Sequence, residues 1–136
     1  MKAVVLLPVV VWFCCGSVAD AEEAWTPVPN CGPRPPAAND IIAGSELWQC
    51  AKSEFAKSQG EYQTAVKLFE SRVPEAEKPK FYEHVARWDY DDQKKCTKRN
   101  SLDFGCTVVA NYERARMLNE AVARCDADAC HVSNLP

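Results

Sequence analysis

Histidine and glycine are scarce in this chain of 136 residues, which holds two of the first and five of the second. Two histidines give little material for an imidazole-rich metal site or for a base beside a nucleophile. Five glycines and few β-branched runs argue against a sheet. No G-x-S-x-G turn is present, so no serine is placed by motif as a nucleophile. No C-x-x-C is present either, which removes thiol redox work and pair-spaced zinc ligands. The stretch "DYDDQ" at 89–93 resembles the start of a calcium loop. It has Lys94 at the sixth position and Asn100 at the twelfth, where glycine and glutamate are required. A basic excess is also missing, with 16 basic against 19 acidic residues. That balance excludes general nucleic-acid binding and cationic membrane lysis. No apolar run beyond the N-terminus is long enough to span a membrane.

The N-terminus reads "MKAVVLLPVVVWFCCGSVADAEE": Lys2, an apolar run from Ala3 to Cys15 broken by Pro8, then small residues. Ala19 and Ala21 match an A-x-A cleavage site, so residues 1–21 are expected to be a removed signal peptide and the protein to be secreted. A cut after Ala19 fits nearly as well. Loss of Lys2 and Asp20 leaves 115 residues with 15 basic and 18 acidic side chains, enough for one domain with a modest core.

Six cysteines then remain: Cys31, Cys50, Cys96, Cys106, Cys125 and Cys130, with gaps of 18, 45, 9, 18 and 4 residues. An even count in an exported chain predicts three disulfides. Cys96 and Cys106 flank a predicted turn and can close it. Cys50 is then expected to reach Cys125, and Cys31 to reach Cys130. The alternative joins Cys50 to Cys106 and Cys96 to Cys125.

The spacing of apolar residues predicts an all-α fold, a small stapled bundle of about four helices over 39–136, preceded by an extended proline-rich arm at 22–38. Asn39 or Asp40 can cap a first helix with Ile41, Gly44, Trp48, Ala51 and Phe55 on one stripe, ending at Gly60. A second carries Tyr62, Val66, Phe69 and Val73, and Pro74 ends it. A third carries Phe81, Val85 and Trp88, with a bend or an early end where Asp89, Asp91 and Asp92 interrupt the stripe. A fourth, capped by Ser101 or Asp103, carries Val108, Tyr112, Ala115, Leu118 and Val122 and runs to about Cys125.

Two clusters carry the candidate functional residues. Asp89, Asp91 and Asp92 beside Lys94, Lys95, Lys98 and Arg99 form a charge dipole suited to a partner surface, with the arm as a second contact. In "CDADACH" the side chains of Asp126, Asp128 and His131 are weak metal candidates. His84, four residues before Trp88, reads as a helix residue packed on an aromatic ring.

The segments "SELWQCAKS" around Cys50 and "NEAVARCDADACH" at the end resemble the microplusin family, secreted six-cysteine helical antimicrobial proteins of ticks. The likeness covers about a third of the expected mature chain. It implies a helical bundle with three disulfides and antimicrobial action by copper sequestration through histidines. The residues themselves predict weak copper binding, no cofactor and no enzyme activity. The expectation is a secreted, non-enzymatic defence or host-interaction protein that binds an extracellular protein or microbial target. The alternative is a carrier of small apolar ligands in a cavity lined by Trp48, Phe55, Phe69, Phe81 and Trp88.

Overall fold

A computed structural model describes residues 25–32, 45–125 and 129–136. The expected signal peptide, Asn39, Asp40, Ile41, Gly44 and the aspartates Asp126 and Asp128 lie outside the described residues.

The described chain is mostly helical, with three α-helices where the sequence reading expected about four. The first two expected helices are one element, α1, Glu46–Glu70. Ser45 caps it, its hydroxyl accepting the Trp48 N–H at 3.1 Å. Gly60 does not stop it because the apolar face continues past it: Ala51, Phe55, Ser58, Tyr62, Ala65 and Phe69 alternate at spacings of four and three. A mid-helix glycine costs about 1 kcal/mol, and burial of Tyr62 and Phe69 outweighs it at about 2–3 kcal/mol each.

A 3-10 turn at Glu75–Glu77 leads into α2, Lys78–Lys95, with Pro79 in its first turn. Against expectation, α2 continues without a break through the aspartates after Trp88. Asp89 accepts from the Tyr62 hydroxyl at 2.9 Å, and Asp92 takes Arg114 in two bonds of 2.8 and 3.0 Å. These carboxylates therefore face neighbouring helices rather than breaking their own.

The link from α2 to the last helix is a two-stranded hairpin that the sequence reading missed. β1 (Thr97–Lys98) pairs antiparallel with β2 (Ser101–Leu102). Arg99 and Asn100 occupy its turn with φ of 49° and 63°, the left-handed pair that a two-residue hairpin of matching twist demands. Asp103 then caps α3, Phe104–Arg124, as one of the two expected caps.

Facing pairs give the directions. Phe55 meets Phe104 edge-on at 5.5 Å, and Ser58 meets Asn111 further along both helices, so α1 and α3 run parallel. Phe69 stacks on Phe81 at 5.2 Å while Tyr62 reaches Asp89, so α2 runs antiparallel to α1. The result is an up-down-up bundle. The small residues Ala51, Ala65, Ala115 and Ala121 are buried, and α1 and α3 form the closest pair. Ser58 is fully buried and accepts from Asn111 Nδ2 at 3.2 Å. A polar pair inside an apolar seam favours the one register that satisfies it.

Three disulfides staple the bundle: Cys31–Cys50, Cys96–Cys106 and Cys125–Cys130. Cys96–Cys106 is the pair expected to close the turn. The expected Cys50–Cys125 and Cys31–Cys130 pairs do not form. Cys50 lies near the start of α1 and Cys125 just beyond the end of α3, and parallel helices hold those positions at opposite ends of the molecule.

Candidate functional site

The charged segment at 89–99 falls on two elements, the last turns of α2 and the hairpin. Several of its seven side chains are engaged within the fold. Asp89 holds Tyr62, Asp92 holds Arg114, and Lys98 lies 3.0 Å from the fully buried carboxylate of Asp103. Asp91, Lys94 and Lys95 are exposed at the end of α2, and Arg99 sits in the hairpin turn. The structure thus gives part of the expected contact surface a load within the bundle.

Asp103 is the most connected of these carboxylates. It accepts the Thr26 N–H at 3.0 Å and the Cys106 N–H at 3.2 Å besides pairing with Lys98. Burial pushes its carboxyl up, but the two N–H groups and Lys98 together outweigh that and hold it below the ordinary range. It joins three parts of the chain: the 25–32 segment, the hairpin and α3. Of the expected arm, residues 25–32 form neither helix nor strand, and Val28 is buried against Ala51 and Val108.

At the other end, Cys130 N–H donates to the Arg72 carbonyl at 2.9 Å, and Leu135 packs into the main core. Glu77 holds this C-terminal segment. One oxygen lies 2.7 Å from His131 Nδ1 and the other accepts the Val132 N–H at 3.0 Å. The Val132 N–H, then His131, hold the Glu77 carboxyl below its ordinary range. His131 was expected as a weak metal donor beside Asp126 and Asp128, which lie outside the described residues. Its partner, Glu77, is 54 residues away and was not foreseen. Among the described residues, no group of three or more His, Cys, Asp or Glu side chains is placed to hold a metal ion.

His84 packs edge-on against Trp88 at 4.6 Å, in line with the sequence reading. A second contact on Trp88 was unforeseen: the Arg114 guanidinium lies 4.6 Å from the ring centre. Burial lowers the affinity of Arg114 for its proton, but Asp92 outweighs it and the net direction is upward. Nε2 of His84 is buried without a hydrogen-bond partner among the described residues.

A cleft of about 420 Å³ opens where α2 stands away from α1. Its walls come from Tyr62, Val66 and Glu70 on α1 and Val85 and Asp89 on α2, with Asn111 of α3 reaching it. Both flanking carboxylates are held by phenols. Tyr62 donates to Asp89 and Tyr82 donates to Glu70. Burial first, and then the Asp89 charge, push the Tyr62 phenol far above its usual range, so it stays a donor. No residue of this cleft except Asp89 was singled out as functional from the sequence, because a cleft between helices is a property of their spacing.

No protein-family model, no curated protein and no solved structure matches this chain.

Proposed function

We propose that the protein is a secreted, non-enzymatic defence or host-interaction protein that acts by binding an extracellular protein or microbial target. Three disulfides are compatible with an extracellular setting, where such bonds persist. The observation that carries the reading is the use made of its reactive side chains. Asp92, Asp103, Glu77 and His131 each serve contacts that hold one segment of the chain to another. A scaffold locked in this way presents a rigid surface, which lowers the ordering cost of binding. Asp91, Lys94 and Lys95 belong to that surface on this reading.

The carrier alternative draws on the aromatic residues. Trp48 and Phe55 both pack edge-on against Phe104, and Phe69 stacks on Phe81. Rings that contact one another in this way favour the surface-binding reading. The engagement of His131 by Glu77 likewise favours an action independent of copper, although the microplusin resemblance implies copper sequestration.

The test combines two assays on protein expressed through a secretory route. Growth inhibition of bacteria that survives added copper and the His131→Ala substitution supports the proposal. Saturable displacement of a lipophilic probe from the interior supports the carrier instead and overturns it.

A further inference from the structure

We propose that the cleft between α1 and α2 binds a small organic cation, a primary ammonium on a compact apolar body, with Asp89 as its anchor. This goes beyond the surface-binding reading, and growth inhibition does not depend on it. Clefts between the helices of a bundle are common ligand sites, and about 420 Å³ suits a small molecule.

The cation preference follows from the charges on the lining. These are Asp89, Glu70 and Lys67, a net of one negative charge. Arg114 lies nearby but is taken up by Asp92 in two hydrogen bonds. Tyr62 and Glu70 are eight residues apart on α1, about 12 Å along the axis, so a single ammonium meets only one of the two carboxylates. Lys67 lies three residues from Glu70, on neighbouring positions of the helix surface, and opposes a cation at that end. At the Asp89 end the opposing charge is Arg114, and its ion pair with Asp92 offsets it.

Tyr62 engages one oxygen of Asp89, and the other is the acceptor an ammonium requires. The phenol holds this carboxylate in place before any ligand arrives, which reduces the ordering cost. Val66 and Val85 offer apolar walls to the body of the ligand. Gln59, Gln63 and Asn111 add amide groups that both donate and accept.

The experiment titrates 2-phenylethylamine into isotopically labelled protein near neutral pH and follows backbone amide signals by NMR. Saturable shifts are expected at Gln59, Gln63, Val66 and Val85, with phenylacetate producing none. Asp89→Asn keeps an oxygen for Tyr62 and removes the charge, so affinity is expected to fall at least about fivefold. Glu83→Gln, at an exposed position of α2 outside the lining, is expected to leave it unchanged. On the unaltered protein, raising salt from about 0.05 to about 0.5 M is expected to weaken binding severalfold. Absence of saturable shifts, equal binding of phenylacetate, an unchanged Asp89→Asn affinity or salt-independent binding each overturns the proposal.

Discussion

The Cα of Gly105 lies directly under the carbonyl of Thr26. A methyl group built on it would fall 2.0 Å from that oxygen and 2.7 Å from the Pro27 carbonyl oxygen. Both obstacles are backbone, so the chain segment itself has to move. Gly105→Ala gains helix propensity of about 1 kcal/mol, but overpacking of this kind costs about 1–3 kcal/mol. The expected result is net destabilisation in thermal melts. Faster hydrogen exchange at the Thr26 amide, which donates to Asp103, is the local sign. A variant as stable as the parent with Thr26 still protected contradicts this account.

Gly60 behaves in the opposite way. A Cβ there meets nothing within 4 Å, and the residue lies in mid-helix. Gly60→Ala is expected to stabilise the fold by about 0.5–1 kcal/mol, raising Tm by about 2–5 °C. An unchanged or lower Tm would mean that this glycine serves something other than the helix.

These two glycines show what the sequence carried and what it did not. The apolar stripes were legible because helical periodicity is local, and most positions named on them are buried or half-buried. Gly60 is a helix-stop signal by propensity alone, and Ser58, the small polar residue that continues the stripe, overrides it. The difference propagates: a chain broken at Gly60 allows Cys50 to meet Cys125, whereas one long α1 runs parallel to α3 and forbids it. The hairpin had a weak local signal in Arg99–Asn100. The contacts of Asp89 with Tyr62 and of Glu77 with His131 join residues 27 and 54 positions apart, and no local pattern announces such pairs.

Acid is expected to loosen both ends of the molecule. Asp103 and Glu77 are held below the ordinary carboxylate range in the fold. The unfolded chain takes up these protons near pH 4, roughly, while the folded state resists them. Both groups therefore contribute stability above that value and lose it as pH falls through their lowered folded values. Denaturation midpoints are expected to drop below about pH 4. Glu77→Gln is expected to flatten part of this dependence and to speed exchange at the Val132 amide. Asp103→Ala orphans the Thr26 and Cys106 N–H groups and removes the Lys98 ion pair, at a cost of about 3 kcal/mol. A pH-independent midpoint across the acid range contradicts this.

Alkali acts on the phenols with the reverse sign. Tyr112 donates to Glu54 at 3.1 Å, and burial, then that hydrogen bond and the Glu54 charge, push its phenol up to about 12. Tyr62 is shifted further in the same direction. An unfolded tyrosine ionises near 10, roughly, so both contribute stability below that pH and lose it as pH rises towards their folded values. Tyr82 is also pushed up, first by its hydrogen bond to Glu70, so ultraviolet titration is expected to show three of the four tyrosines ionising late, Tyr62 and Tyr112 the latest. Tyr112→Phe is expected to lessen the alkaline loss. Four phenols titrating together near their ordinary value would show that the Tyr62–Asp89 and Tyr112–Glu54 bonds do not persist in solution.

The three disulfides join cysteines that are neighbours in chain order, at separations of 19, 10 and 5 residues. In the chain-entropy account the stabilisation grows slowly with the closed loop, giving about 3 kcal/mol for the longest and about 2 kcal/mol for the shortest. Together they approach the whole stability of a small domain, so full reduction is expected to abolish the cooperative melt. Removal of single pairs separates their roles. Replacing Cys31 and Cys50 by alanine removes the covalent tie of residues 25–32 to α1, while Val28 on Ala51, the Asn30–Glu54 hydrogen bond and the Thr26 bond to Asp103 still hold them. A loss of about 3 kcal/mol with helical circular dichroism retained is the expected outcome. Replacing Cys125 and Cys130 leaves the Glu77 clasp on His131 and Val132, so the smaller loss of about 2 kcal/mol is expected there. Peptide mapping of the oxidised protein is expected to find only these pairs. A Cys50–Cys125 peptide would require α1 and α3 to run in opposite directions and would overturn the bundle described above.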